Sequence, residues 1–248
     1  MAVAHVFVAD LDALAVDDAD RHHLSHVLRL RPGEEVTASD GRGRWRRCRF
    51  VTGGVLEPDG AVICEDPLSP PVAIGFVVTK GSRPEWVVQK LTEVGVDRIV
   101  PLSSSRSVVR WDTRRAERNV ERLRLVARQA AMQSRRNRLP EVSNLLPFAE
   151  VAVGGAALAE VGGDAPSLER PFVLVGPEGG WDRTELACGL PRVGLGPNVL
   201  RAETAGLAAG VLLCALRAGL VNRASVATGT PDLGTRGRDH RGVPGEPG

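Results

Sequence analysis

The chain has 248 residues, of which 43% are hydrophobic and 25% charged, enough to bury the core of one large domain or two smaller ones. Its formal net charge is only +2, so the overall charge identifies no partner. No apolar run reaches 18 residues without a charge, which argues against a membrane span. The first residues lack a basic start and an apolar stretch, so we expect no signal peptide and a cytoplasmic protein.

Cysteine and histidine patterns indicate neither a disulfide framework nor a metal site. The four cysteines lie far apart without a CxxC pair, which in a chain of this length predicts reduced, buried thiols. His22 and His26 have the i, i+4 spacing of a zinc pair, but the sequence offers no evident third ligand. We therefore expect surface or packing histidines and no bound metal.

The charge is unevenly distributed along the chain. Residues 1–70 carry a net charge of −4 and residues 141–248 a net charge of −3, whereas the 15 basic and 6 acidic side chains of residues 71–140 give +9. Of the 32 basic residues 30 are arginines, which suit phosphate better than lysines do. A basic segment between acidic flanks is typical of polyanion binding, although a solvated helical face has the same composition.

Residues 1–70 are predicted to form a small β-rich domain, because short strand patterns alternate with turns rich in Gly, Pro and Asp. One helix is predicted over residues 18–30. The proline-rich stretch 67–71 has the composition of a stiff linker, so the domain boundary is placed there. The predicted strands are residues 4–8, 35–38, 44–52 and 61–64. The predicted buried face of the helix consists of Leu24, Val27 and Leu28.

Residues 71–221 show alternating strand and helix patterns instead. Such alternation predicts an α/β domain with a parallel sheet, in which ligands bind at the carboxyl ends of the strands. The predicted strands are residues 72–79, 98–102, 171–176 and 192–196. The predicted helices are residues 84–95, 113–136 and 203–220. Between them, the Gly- and Ala-rich residues 151–167 are predicted to be a loop or a weak helix, and residues 222–248 a disordered tail.

A glycine-rich loop follows the third predicted strand of this domain. The sequence GPEGGW at residues 176–181 ends a buried strand, and DRTE at 182–185 resembles a capping box that starts a helix. Glycines at a strand end let backbone groups approach a ligand with no side chain in the way. The spacing fits neither GxGxxG nor a Walker A loop, so this loop alone leaves a ligand role and an ordinary turn equally open.

A second loop, LGPNVLRAETA at residues 195–205, follows the fourth predicted strand. Arg201, Glu203 and Thr204 lie at the start of the last predicted helix. The latter two could simply complement the helix N-terminus. A guanidinium beside a Gly-rich loop, in contrast, suits an anion or a uracil carbonyl better than a protein core.

Cations lie near these loops and continue along one helix. Lys80 and Arg83 follow the first predicted strand of the α/β domain, where substrates bind. Arg114, Arg118 and Arg122 are spaced i, i+4, i+8 and form one ridge. Further arginines continue toward Pro140, namely Arg128, Arg135, Arg136 and Arg138. We favour phosphate contacts with a nucleic acid over a merely solvated face.

Several motifs, taken in their order, resemble those of the bacterial 16S rRNA uridine-N3 methyltransferases of the SPOUT superfamily. The resemblance covers about residues 3–221, and the paired glycine-rich loops are specific in combination. The motifs of the α/β domain are QKLTEVGV at 89–96, SRSVV at 105–109, QSRRNRLPEV at 133–142, GPEGGW at 176–181 and LGPNVLRAETA at 195–205. HVFV at 5–8 and HHLSHVLRLRPGEEV at 22–36 resemble the PUA-like RNA-binding domain of that family.

The resemblance implies a C-terminal α/β trefoil-knot domain with a parallel sheet and a small N-terminal PUA-like β-barrel. It further implies a homodimer that uses S-adenosylmethionine to methylate a uridine of 16S rRNA in the small ribosomal subunit. By motif, the cofactor-binding residues would be Gly176, Glu178, Gly179, Gly180, Leu195, Gly196, Leu200 and Thr204, with Arg201 and Glu203 catalytic. The RNA-binding residues would be Lys80, Arg83, Arg106, Arg114, Arg118, Arg122 and Arg136.

The chain departs from the family pattern at two positions, with Asn198 where an arginine is usual and Met132 where a glutamate is frequent. Two alternatives remain open. One is the same fold acting on another RNA or on a ribose 2′-OH, and the other is a non-catalytic RNA-binding factor in ribosome assembly. The intact glycine-rich loops argue against the second.

Overall fold

The N-terminal part of the computed structural model, which describes residues 4–222, is a five-stranded sheet. The predicted tail therefore lies outside the described residues, apart from residue 222. The strands are β1 (Ala4–Phe7), β2 (Glu35–Ser39), β3 (Arg44–Phe50), β4 (Leu56–Pro58) and β5 (Ile63–Cys64). β1 and β2 are parallel and the other neighbours antiparallel, in the order β1-β2-β3-β4 with β5 also on β3. The pairings found within residues 4–222 form an open path and do not close the predicted barrel.

The single helix predicted over residues 18–30 is wrong in its second half. Helix α1 (Asp18–His22) passes directly into a π-helical turn (His23–Val27), in which the Leu28 amide donates to the His23 carbonyl at 2.9 Å. The wider turn shifts the side chains out of the 3.6-residue register. Of the three residues expected inside, Leu24 is fully buried, whereas Val27 and Leu28 are exposed.

The second sheet, in the C-terminal part, contains seven strands that are all parallel. They are β6 (Ala73–Val77), β7 (Arg98–Ser103), β8 (Glu141–Val142), β9 (Leu146–Pro147), β10 (Ala156–Asp164), β11 (Phe172–Val175) and β12 (Arg192–Val193). Their order is β12-β10-β11-β6-β7-β8, with β9 also on β7. All carboxyl ends consequently lie at one edge of the sheet, as the strand–helix alternation predicts.

Strand β10 corrects the expectation that residues 151–167 form a loop or a weak helix. It lies between β11 and β12 and pairs with both. A Cβ atom on Gly163 would come within 2.7 Å of the Val193 backbone, so only glycine permits this approach. The small residues that suggest a loop in the sequence are therefore what allows the backbones of β10 and β12 to meet.

Helices cover both faces of the parallel sheet. They are α2 (Arg83–Val94), α3 (Thr113–Ser134), α4 (Phe148–Val151), α5 (Arg183–Leu186) and α6 (Ala202–Arg217). α2 packs between α3 and α6, and these helices cover the face from which Ile74 and Phe76 project. Trp181, Leu174 and Leu102 belong to the core on the other face. Among residues 4–222, no helix is long and apolar enough to cross a membrane.

The four cysteines are all free, as expected, but only two are buried. Cys48 lies in the N-terminal core and Cys214 on the buried face of α6, whereas Cys64 and Cys188 are exposed. Burial raises the pKa of the Cys48 thiol to about 11. This thiol is therefore a packing group rather than a reactive one.

The C-terminal half of α3 attaches the N-terminal sheet to the parallel sheet. The Arg128 guanidinium donates to the buried Asp20 carboxylate at 2.5 Å and to the Phe7 carbonyl at 3.3 Å. Its hydrogen bond to Asp20 raises the pKa of Arg128. Met132, one turn further along, packs against the N-terminal core. A charge at this position would therefore need a partner in a largely apolar contact.

The segment after α3 continues this attachment through the backbone. The Asn137 carbonyl accepts hydrogen bonds from the Ser39 hydroxyl at 2.8 Å and the Gly43 amide at 3.0 Å. Leu139 donates its amide to the Gly41 carbonyl at 2.9 Å. The two sheets are thus joined by main-chain hydrogen bonds as well as by side chains.

A buried histidine makes the N-terminal sheet sensitive to acid. His5 is 4% exposed, and its Nδ1 lies 2.7 Å from the Thr37 hydroxyl. Burial, helped by the charge of Arg135, lowers the pKa of His5 to about 4. The unfolded chain therefore binds a proton more readily than the folded one between that value and about 6.5.

His5→Gln should flatten the pH dependence of stability in this window. Because the folded pKa is depressed, the wild type should lose about 2 kcal/mol of unfolding free energy between pH 7 and pH 5 through this group. The variant should lose that much less in urea titrations at the two pH values. His22→Gln, at an exposed position, is the matched control and should follow the wild type. An unchanged pH slope in His5→Gln would exclude this origin of acid sensitivity.

Candidate functional site

The two glycine-rich loops line one cleft at the carboxyl ends of β10, β11 and β12. The cleft has a cavity volume of about 140 Å³ and is open to solvent on one side. Six of the eight cofactor-site candidates line it, namely Gly176, Glu178, Gly180, Leu195, Gly196 and Leu200. The other two, Gly179 and Thr204, are exposed and are not part of its lining.

The first loop is shaped by a close contact between Gly176 and Trp181. A Cβ atom on Gly176 would lie 3.0 Å from the buried indole ring, so the absence of a side chain lets the loop fold back over Trp181. The indole N–H donates to the Ala159 carbonyl of β10 at 3.3 Å. Trp181 thereby connects the loop after β11 to the neighbouring strand.

Part of the cleft wall could not be found from the two loop motifs. Ala159, Glu160 and Val161 of β10 line the cleft together with Trp181. Because residues 151–167 were not expected to form a strand, no sequence signal placed them here. Asn198, the position at which the family usually has arginine, also lines the cleft.

A capping box fixes the end of the first loop, as the DRTE sequence predicts. The Asp182 carboxylate accepts from the Thr184 amide at 3.0 Å, while the Glu185 carboxylate accepts from the Asp182 amide at 2.7 Å. Hydrogen bonds from Thr184 hold the pKa of Asp182 below its usual range. Buried Glu185 also accepts from the Ser105 amide at 2.8 Å, which ties α5 to the segment after β7.

Arg106, a candidate for RNA contact, has a structural role in this arrangement. Its guanidinium donates to the Gly179 carbonyl at 2.9 Å and lies 3.8 Å from the Asp182 carboxylate. The side chain is about half exposed. Arg106 therefore holds the glycine-rich loop, and this contact uses one face of its guanidinium.

Arg201 and Glu203 lie at the start of α6, directly after the second loop. Arg201 is the exposed N-cap residue, and its side chain has no hydrogen-bond or ion-pair partner among the described residues. Glu203 is half-buried, and its Oε2 atom is buried without a partner there. The site thus combines an unpaired cation with an unpaired carboxylate oxygen.

Arg83 bridges Glu203 and the first glycine-rich loop, so its guanidinium is paired with acidic side chains. Its Nη1 atom donates to Glu178 at 2.7 Å, and its Nε atom lies 3.8 Å from Oε1 of Glu203. One guanidinium from the start of α2 therefore lies between the two acidic side chains of the two loops. The sequence placed Arg83 at the correct strand end but did not reveal its partners.

The basic ridge of α3 is exposed along its length, but its third arginine is paired. Arg114 and Arg118 are exposed and have no side-chain partner among the described residues, whereas Arg122 lies 3.2 Å from Glu85. Arg136, predicted to bind RNA, is instead mostly buried: it donates to the carbonyls of Thr92 and Val96 at 2.8 and 2.9 Å. The expectation for Arg136 is wrong, because its guanidinium is used inside the protein.

No cluster of three or more potential metal ligands is present among residues 4–222. The rings of His22 and His26 stack with their centroids 4.5 Å apart.

Comparisons with known proteins agree with this architecture. The model of the RNA methyltransferase domain matches residues 65–213, and that of the RNA methyltransferase PUA domain matches residues 16–52. The chain is similar to the ribosomal RNA small subunit methyltransferase E of Mycobacterium tuberculosis, with 35% identity over 224 residues, or 81% of this chain and 86% of the relative. The Bacillus subtilis protein of the same name is 26% identical over 229 residues, covering 81% and 89%.

A solved structure supports the same assignment. The ribosomal RNA small subunit methyltransferase E of Neisseria gonorrhoeae, bound to S-adenosyl methionine, superimposes with a TM-score of 0.71 and 27% identity. The superposition covers 87% of this chain and 98% of that one. These matches confirm the α/β fold with a parallel sheet, the SPOUT fold and the N-terminal PUA-like domain. The chain belongs to the RNA methyltransferase family.

Proposed function

We propose that this protein uses S-adenosylmethionine to methylate N3 of a uridine in 16S rRNA of the small ribosomal subunit. The observation that carries the proposal is the cleft between two glycine-rich loops, beside which the start of α6 presents the Arg201 guanidinium and the Oε2 atom of Glu203, both without a partner among the described residues. Membership in the RNA methyltransferase family and the names of its relatives support the substrate class.

The composition of the cleft fits this cofactor. Val175, Leu195 and Leu200 supply apolar walls for a flat adenine ring, while Gly176 and Gly196 leave backbone groups accessible to its polar edge. Glu178, which is paired with Arg83, adds a carboxylate to the lining. When bound, the cofactor supplies an electrophilic methyl group.

We assign the chemistry at the uracil to Arg201 and Glu203. Uracil N3 carries a proton and is a poor nucleophile until this proton leaves. The Arg201 guanidinium, which has no partner in the part of the chain that the structure describes, stabilises the negative charge that develops on a uracil carbonyl oxygen. The buried Oε2 atom of Glu203 accepts the N3 proton, because it has no hydrogen-bond donor among the described residues.

Arg201→Ala should lower the single-turnover rate of uridine methylation by at least about 100-fold at saturating cofactor, because one stabilising charge is lost. Arg170→Ala, which changes an exposed arginine paired with Asp164, is the control and should retain the rate. The rate is read from labelled methyl incorporation into small-subunit rRNA. Full activity of Arg201→Ala would refute the proposed role.

Mass mapping of the rRNA nucleosides identifies the product of the same reaction. The proposal requires N3-methyluridine at a single position of 16S rRNA. A methyl group on a ribose 2′-OH, on another RNA, or on no RNA at all would contradict it. A thermal shift with S-adenosylmethionine distinguishes an inactive enzyme from a binding factor that has lost its cofactor site.

The free arginines of α3 support a role in docking the RNA. Arg114 and Arg118 have no protein partner among the described residues and lie on the same helix face, so both can reach phosphates. Lys80 is exposed at the carboxyl end of β6, on the same edge of the sheet as the cleft. We assign phosphate contacts to these three cations and to Arg122.

The double change Arg114→Ala and Arg118→Ala should weaken rRNA binding and reduce the slope of log K against log salt by about 0.7–0.9 for each lost phosphate contact. Arg98→Ala with Arg124→Ala is the matched control. It removes the same charge, but these arginines are paired with Glu141 and Glu121. Filter binding at several salt concentrations measures both. Equal slopes for the two double variants would exclude the docking role.

We further propose that the protein acts as a cytoplasmic homodimer, in which a second copy completes the site. Val199 lines the cleft with 86% of its surface exposed, and Val211 on α6 is also exposed. Apolar side chains at the mouth of a ligand site are typical of a surface that a second subunit covers.

A further inference from the structure

A second cavity lies beside the cleft and shares none of its lining residues. It has a volume of about 240 Å³ and is enclosed by the segment after β6, the first turn of α2, the start of α3 and the segment before α3. Its polar lining includes Lys80, Glu85, Arg115 and Asn119, and Trp111 forms part of the apolar wall. A cavity with both charge signs and an aromatic ring is unusual for a packing defect, which is apolar.

Several polar groups of this cavity have no partner. The side chains of Lys80, Arg115 and Asn119 make no hydrogen bond or ion pair with any described residue. Glu85 is paired through Oε1 with Arg122, whose Nε atom lies at 3.2 Å, but its Oε2 atom is buried and unpaired. A buried carboxylate oxygen without a donor is costly, so this oxygen requires a donor from outside the described residues, which water or a ligand supplies.

The unpaired groups match the parts of a nucleotide. Lys80 and Arg115 suit a phosphate, and Trp111 is partly buried against the core beside Val109, where it offers an apolar wall to a base. Phosphate alone would leave the free oxygen of Glu85 unsatisfied. Guanine offers two adjacent donors, N1–H and the N2 amino group, on one edge, which suits a carboxylate better than the edges of the other bases do.

The cavity is connected to the proposed reaction site through the first turn of α2. Glu85 and Arg83 lie in the same first turn of α2, and Arg83 contacts both Glu178 and Glu203 of the cleft. An RNA strand with one residue in the cleft would therefore pass the cavity with a near neighbour. Lys80 lies at the cavity mouth on the sheet edge that also forms the cleft.

We propose that this cavity binds a guanine nucleotide of the same RNA strand that carries the methylated residue, with Glu85 accepting from the guanine edge. The proposal rests on the proposed function, since it concerns the RNA substrate of that site. It gives the enzyme a contact that reads a base beyond the reacting one, which phosphate contacts alone cannot do.

Binding of mononucleotides to the full-length protein tests the proposal. Guanosine monophosphate should bind most tightly in saturation-transfer NMR titrations at fixed salt. Inosine monophosphate, which lacks only the N2 amino group, should bind about tenfold more weakly, and the adenosine and uridine monophosphates no better. Equal binding of all four nucleotides would overturn base recognition by this cavity.

Two variants, each with a matched control on α2, locate the contact. Glu85→Gln should abolish the preference for guanosine over inosine monophosphate, because the amide replaces an acceptor by a donor. Glu93→Gln on the same helix, paired with Lys90 outside the cavity, should keep it. Trp111→Ala should weaken all nucleotides, whereas Trp86→Ala, outside the cavity on α2, should not. An unaltered preference in Glu85→Gln would refute the assignment.

Uridine methylation is measured separately on the same preparations, so the two proposals can fail independently. Methylation without a guanine preference would refute the second cavity and leave the proposed function intact. A guanine preference that depends on Glu85, without methylation of any uridine, would support the cavity and refute the proposed function.

Discussion

The parallel register of β6, β10, β11 and β12 is the constraint on which both cavities depend. Because all these strands run in the same direction, the segments that follow them emerge at one edge of the sheet. The cleft is formed by the segments after β11 and β12 together with residues of β10, and the second cavity begins after β6. Any change that slipped this register would move both sets of walls at once.

The backbones that form the cleft wall approach each other closely because glycines lie at the points of contact. Gly163 brings the backbones of β10 and β12 together, and Gly176 lets the loop after β11 close over Trp181. Trp181 in turn donates to β10. The same residues that make the sequence look irregular are thus required for the closed wall of the cleft.

Much of this fold could be predicted from the sequence, because the apolar strands and amphipathic helices have clear periodicity. β6 and β11 were found as buried apolar runs, and α3 as a long amphipathic helix. β10 was missed, since alanine and glycine have weak strand propensity and its stability comes from two neighbouring strands. The π-helical turn was missed because its hydrogen bonds follow a period that apolar patterning does not reveal.

The sequence motifs predicted the loop residues whose backbone forms the cleft. They did not predict which charged side chains have ion-pair or hydrogen-bond partners. Six of the eight loop residues line the cleft, but charge patterning could not separate free arginines from paired ones. Arg114 and Arg136 look alike in the sequence. Within residues 4–222, however, the first is exposed without a partner, whereas the second donates to carbonyls inside the protein. The net charge of a segment includes both exposed and internally bonded arginines, whereas only the exposed, unpaired arginines are available to a polyanion.

The main-chain hydrogen bonds between residues 137–139 and the N-terminal sheet have a consequence for recognition. Backbone links of this kind, reinforced by Arg128, leave the N-terminal sheet little freedom to swing relative to α3. The N-terminal sheet and α3 are therefore held at a fixed distance from each other. An RNA that contacts both would have to present its contact points at the matching distance.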